Sequence, residues 1–186
     1  MVSAKDFRDR LRQGADGTWG DDTSKLKSLV ADWVNRELKP NPPIDPNDKN
    51  CRGFINDACG RLLCPTKLDW SNPIVRAGIR DRVDGYVVME MSWPAFLYEK
   101  YTANQDNLEE GLFKSSLLVQ KVKMHIAQII KMHKVTPRSI AYVSCQLRFA
   151  LSSVTSWRSI DGDFDYTPFW HSIVDFFERP PGHTAW

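Results

Sequence analysis

A chain of 186 residues, 42% hydrophobic and 26% charged, has the makeup and length of a globular protein able to bury a core, which excludes a disordered or low-complexity chain. No stretch of 18 consecutive apolar residues and no apolar N-terminal run occurs, so an intracellular chain without a membrane span is expected. The formal net charge of +2, from 25 basic and 23 acidic residues, says little about partners, and its distribution along the chain says more.

Residues 1–21 carry Phe7 and Leu11 among charges, then Gly14, Gly17 and Gly20, and read as a flexible arm. Asp22 and Thr23 offer a cap. Leu26, Leu29, Val30, Trp33, Val34 and Leu38 then form one apolar stripe, which predicts an amphipathic helix over 24–38. The run KPNPPIDPNDKN lacks the donors for regular ladders and reads as an extended surface connector. Short helices are expected over 54–63 and, capped by Asn72, over 73–82. Residues 86–89 are the one strand-like stretch, too short to be more than marginal. Ser92 offers a cap for a brief helix over 93–98, and TANQDN is a loop.

Asn107 reads as the cap of a long helix over 107–133, with Glu109 and Glu110 favouring its positive end. Leu112, Leu118, Val119, Val122, Ile126, Ile129 and Ile130 make its apolar face, while Lys114, Lys121, His125, Gln128 and Lys131 fall near the other. The stretch 135–157 opens on Thr136 as cap and Pro137 as first helical residue. Ile140, Val143, Leu147, Leu151 and Val154 recur at helical spacing, with Tyr142, Cys145 and Phe149 opposite. A helix apolar on two faces is expected to be central, with others packed round it. After the acidic segment DGDFDY, Thr167 and Pro168 repeat the start signal of a last helix, with Trp170, Ile173, Val174 and Phe177 inward. The expected fold is all-α: a single compact domain over 22–179, of about six or seven helices around a buried central one, followed by a tail over 180–186 that includes Trp186.

Between Gly111 and Ile160 there is no acidic residue, while Lys114, Lys121, Lys123, Lys131, Lys134, Arg138, Arg148 and Arg158 supply eight positive charges. Such clusters bind phosphate backbones by releasing counterions; the bland alternative is a solvated face balanced by Asp161, Asp163, Asp165, Asp175 and Glu178. The nucleic-acid reading leads, DNA first, with contacts expected to phosphates and not bases and with Lys121, Lys131, Lys134 and Arg138 as binding residues. Direct base readout from Arg138 and Ser139 at a helix start is opposed by the second apolar face of that helix. A protein-interaction or self-associating module is the alternative, with Phe54, Ile55, Trp70 and Trp93 as suppliers of an apolar patch. Arg148 needs a partner if buried, and Asp161, Asp163 or Asp165 is the expected one.

No metal or cofactor is expected. Asp161, Asp163 and Asp165 alternate as in a calcium loop, but Tyr166 stands where glycine is needed and Ser172 where glutamate is needed. Cys51, Cys59 and Cys64 show no C-x-x-C pair, and together with Cys145 they read as reduced thiols. His125 and His133 lie two helical turns apart, too far to chelate one ion. With no Gly-rich phosphate loop, G-x-S-x-G or H-E-x-x-H, an enzyme ranks third and no catalytic residue is assigned.

The blocks DDTSKLKSLV, RGFINDACGRLLCP, SWPAFLY, NLEEGLFKSSLLV, VTPRSIAYVSCQLRFALSS and FDYTPFWHSIVDFFE together resemble a domain-of-unknown-function family (number 6698) of mushroom-forming basidiomycete fungi, over roughly 22–178. The resemblance implies an intracellular fungal protein of a family expanded in many copies and without an established activity.

Overall fold

Thr18–Leu38 forms helix α1 in the computed structural model, which describes residues 18–128 and 135–179, with the backbone alone for 18–24 and 124–128. Helix α1 takes in the last residues of the expected arm; the rest of the arm and the tail over 180–186 lie outside the described residues. Val30, Ala31, Trp33 and Val34 are buried, whereas Leu29 is exposed because it sits one position off that row. Lys39, with φ +46°, ends the helix. Asn35 then fastens the connector back onto α1: its amide donates to the Ile44 carbonyl (2.8 Å) and its oxygen accepts from the Ile44 N–H (2.7 Å). That clasp seats Ile44 in the core.

The helix expected over 54–63 is split. Gly53–Ile55 is a 3-10 turn, and α2, Asp57–Leu63, starts only after Asn56, whose side chain accepts from the N–H groups of Ala58 and Cys59, 3.0 Å each. Helix α3, Pro73–Arg80, is capped by Asn72 with proline in its first turn, as its sequence requires. Trp70 lies so close to α2 that a Cβ on Gly60 would stand 2.2 Å from the indole. Residues 86–89 are irregular, not a strand. Pro94 precedes two 3-10 turns, Ala95–Leu97 and Glu99–Tyr101, where one helix over 93–98 is expected.

Helix α4, Ser116–Gln128, begins well after Asn107. Residues 107–115 turn back instead: the Glu99 N–H donates to Gly111 O (2.8 Å) and the Tyr98 hydroxyl to Leu108 O (3.0 Å). Gly111 and Phe113 take φ of +73° and +59°, which a helix interior does not hold. The expected end, over 129–133, lies outside the described residues. Helix α5, Pro137–Leu151, opens on Thr136 in a reciprocal capping box with Ser139. It stops at Ser152, short of Trp157.

The fold is mostly helical rather than all-α. Strands β1, Ile160–Asp161, and β2, Phe164–Asp165, pair antiparallel, with Ile160 opposite Asp165 and Asp161 opposite Phe164. The two-residue turn between them, over 162–163, opens on Gly162 at φ +64°, the positive φ that a hairpin turn with glycine at its first central position uses. Helix α6, Tyr166–Glu178, follows directly and is capped by Asp165, not Thr167: the Asp165 carboxylate accepts the Thr167 N–H at 2.8 Å.

Helix α5 packs on α1, α2, α4 and α6. Val143, Cys145, Leu147, Phe149 and Leu151 meet Phe169, Trp170, Ile173 and Val174 of α6 and the buried row of α1 in one core, while Cys64, Trp70, Val75 and Ile79 form a smaller cluster beneath α3.

Candidate functional site

Among the described residues of the basic segment, Lys121 and Arg148 are withdrawn from the surface. Lys121, expected on the outer face of α4, is 4% exposed. Burial pushes its amine down to about 8, against the pull of Asp32 and with a further push from Arg36. The error lies in the register: Lys121 stands between Leu117, Leu118 and Val122, all buried, so its stem completes the apolar face. Arg138 is half-buried, with Nε 3.8 Å from a carboxylate oxygen of Glu178. Lys131 and Lys134 lie outside the described residues. Lys114, Lys123 and Arg158 are exposed.

Arg148 is inside, as its place on α5 requires, and the hairpin brings it a partner. Its Nη1 donates to Asp161 Oδ2 at 2.9 Å and to the Tyr166 hydroxyl at 3.0 Å, and its guanidinium lies 3.4 Å from the Phe164 ring centroid. The three aspartates therefore separate by role. Asp161 holds Arg148, Asp163 lies 3.9 Å from Arg82, and Asp165 caps α6. Among the described residues no group of three or more His, Cys, Asp or Glu is placed to hold a metal ion. The cysteines are free thiols; Cys59, Cys64 and Cys145 are buried, and burial pushes the first two up to about 12, which leaves them unreactive.

A second cationic cluster, invisible in the linear charge pattern, closes the C-terminal end of α5. The Lys49 amine donates to the Phe149 carbonyl and sits 3.6 Å from the Phe149 ring centroid. Arg52 Nη1 donates to Ala150 O (2.7 Å) and Lys27 O (3.2 Å), and its Nη2 to Pro46 O (2.9 Å). Lys27 brings a third cation, 5.2 Å from the same ring centroid. Carbonyls left open at a helix end attract cations, so Lys49 and Arg52 both terminate α5 and tie it to the connector. Burial, then Lys27 and Arg52, push the Lys49 amine down to about 6, and burial followed by Arg52 lowers Lys27. Nothing in the sequence distinguishes Lys49 and Arg52 from a solvated pair on a proline-rich connector. Their function becomes legible only when the clasp of Asn35 on Ile44 draws that connector across the end of α5.

Beside this cluster lies a cavity of about 250 Å³, and a larger groove of about 770 Å³ runs between the connector and the α2–α3 region, with Pro40, Pro42, Ile55, Leu68, Trp70 and Tyr101 among its walls. Of the expected apolar suppliers, Trp70 is buried, Phe54 and Trp93 are half-buried, and Ile55 is 66% exposed. No helix of the described residues is long and apolar enough to cross a membrane.

No curated protein and no solved structure matches the chain. A match to the family described as "Family of unknown function (DUF6698)" extends over residues 13–185. That span runs from before α1 to beyond α6 and includes both the hairpin that holds Arg148 and the connector that carries Lys49 and Arg52, so the chain belongs to the family of unknown function DUF6698.

Proposed function

We propose that the protein is a non-catalytic module that associates with nucleic acid, DNA in the first instance, through the exposed Lys114 and Lys123, with Lys131, Lys134 and Arg138 as further binding residues. The observation that supports this reading is that the chain over 112–159 contains no carboxylate while Lys114, Lys123 and Arg158 are exposed, so its own solvent-facing charges have one sign. Lys121 no longer belongs to the surface, and Arg138 shares its charge with Glu178. Contacts of this kind are to phosphates and carry little sequence preference. The test is a salt titration of duplex binding for the wild type and for a variant with Lys123, Lys131 and Lys134 changed to Glu. Each lysine–phosphate contact contributes close to one unit of logarithmic salt slope, so the variant should lose about three units together with its affinity. Equal binding by both proteins, or no binding by either at low salt, removes the reading.

A second reading, self-association, is favoured by a different observation. Ile74, Met89 and Met91 are 68%, 50% and 68% exposed, in a stretch whose Asp81, Asp84 and Glu90 are balanced by Arg76, Arg80 and Arg82. Exposed apolar side chains in a stretch of no net charge are what a second copy would cover by apolar contact. Sedimentation at increasing concentration and two salt levels decides it: a dimer that persists at high salt supports this reading, and a monomer throughout removes it.

A further inference from the structure

We propose that the cavity beside Lys27 and Lys49 is a binding site for an oxyanion, namely a phosphate group carried either by a small molecule or by a nucleic-acid strand. Lys27, Ser28, Asn47, Lys49, Asn50 and Thr155 line it, so amine, hydroxyl and amide donors converge on a space of about 250 Å³, large enough for a single such group. Two amines lie 5.2 Å and 3.6 Å from the centroid of the same ring, and Arg52 binds the same helix end. No ion pair joins Lys27, Lys49 or Arg52 to a carboxylate among the described side chains. The carboxylate in the cavity wall, Asp48, accepts the Asn50 N–H at 2.8 Å, and Asp161 acts on Lys49 only at longer range.

Helix capping accounts for part of this arrangement and leaves part over. Lys49 and Arg52 satisfy the carbonyls of Phe149 and Ala150; Lys27 caps nothing with its amine, yet stands with them. Arg52 Nε is buried without a hydrogen-bond partner. Lys27 and Arg52, with the Lys49 amine beside them and Asp45, Asp48 and Asp161 near but in no ion pair with them, leave a positive potential in the cavity that an oxyanion would neutralise. Because Lys49 is held below its ordinary protonation range by burial and its cationic neighbours, a bound anion should restore its proton, and binding should take up a proton from solution.

Sulfate is the probe, since it does not titrate near neutrality, with chloride at matched ionic strength as control. Calorimetry in buffers of different ionisation heat between pH 7 and 8 should show saturable binding of one sulfate with uptake approaching one proton. Lys27→Met should weaken it at least tenfold and Thr155→Val severalfold, while Lys67→Met, at an exposed lysine outside the cavity wall, leaves it unchanged. Both rim substitutions avoid the buried Lys49 and keep the test informative if Lys49→Met fails to fold. Non-saturable heats, binding without proton uptake, or wild-type affinity in Lys27→Met would each overturn the site. Displacement of sulfate by a short oligodeoxynucleotide supports a nucleic-acid phosphate as the occupant, and displacement by inorganic phosphate alone supports a small phosphorylated ligand. The site does not rest on the α4 surface: loss of all DNA binding there leaves the sulfate result standing.

Discussion

Replacing Lys49 with methionine keeps the aliphatic stem beside Phe149 and removes the amine, so it isolates what a buried, cation-flanked lysine contributes to folding. In the unfolded chain the amine titrates near 10.5, and in the folded protein near 6. Between those values the unfolded state holds the extra proton, so the penalty is absent above about pH 10.5, grows as the pH falls, and is complete below about 6. One proton of difference corresponds to about 1.4 kcal/mol per pH unit, hence about 2 kcal/mol of added wild-type stability from pH 7.0 to 8.5. Lys121, pushed down to about 8, adds the same sign only from there upward. Above about pH 9 the buried thiols oppose it, because Cys59 and Cys64 hold their protons to about 12 while the unfolded chain gives them up near 9. Urea unfolding at pH 7.0, 7.75 and 8.5 should show wild-type stability rising toward alkaline pH and Lys49→Met nearly level. The substitution also leaves the Phe149 carbonyl without this donor, a pH-independent loss of about 1 kcal/mol. Parallel profiles for the two proteins would refute the reasoning, for they would mean that Lys49 keeps its proton in the fold.

Leu147→Ala removes a side chain that is 0% exposed in the middle of α5 and should lower the free energy of unfolding by about 2 to 5 kcal/mol, read from the urea midpoint. Asp161→Asn leaves the Arg148 guanidinium without its carboxylate at 5% side-chain exposure and should cost about 3 kcal/mol, with Arg148→Met in the same background restoring part of the loss. Gly60→Ala drives a methyl to 2.2 Å from the Trp70 indole and should cost about 1 to 3 kcal/mol, with a changed tryptophan fluorescence, whereas Gly85→Ala meets no neighbour and costs only the strain of φ +86°.

Local signals suffice where a cap and an apolar row agree. Asn72 before Pro73 and Thr136 before Pro137 start α3 and α5 where their sequences place them. Asn107 failed because its amide carbonyl accepts the Glu109 N–H in a turn, and the chain then needs Gly111 and Phe113 in left-handed conformations to pair with Tyr98 and Glu99. Those contacts are between segments, and no window of periodicity contains them. The hairpin at Gly162 leaves no signal in the acidic segment DGDFDY because strands of two residues are shorter than any alternation pattern. The placement of Arg148 against Asp161 was legible, since a guanidinium on a helix apolar on two faces has few escapes and the nearest carboxylates follow directly.

Charge counted along the chain and charge presented by the fold are different quantities, and in this protein the difference separates the two binding proposals. Of the eight positive charges over 112–159, Lys121 and Arg148 are inside and Arg138 is met by Glu178, so what faces solvent there is thinner than the count. Meanwhile Lys27 and Lys49 with Arg52, which lie in segments balanced by Asp32, Asp45 and Asp48 in any linear tally, converge where no carboxylate pairs with them. A thin exposed surface yields affinity that decays with salt, because its contacts are screened and its counterions return. A cavity with desolvated amines yields affinity that depends on pH, because binding and protonation of Lys49 are linked. Measuring anion binding against both variables therefore assigns it: a steep salt slope unaffected by Lys27→Met belongs to the surface at Lys114 and Lys123, and a proton-linked, Lys27-dependent component belongs to the cavity at the end of α5.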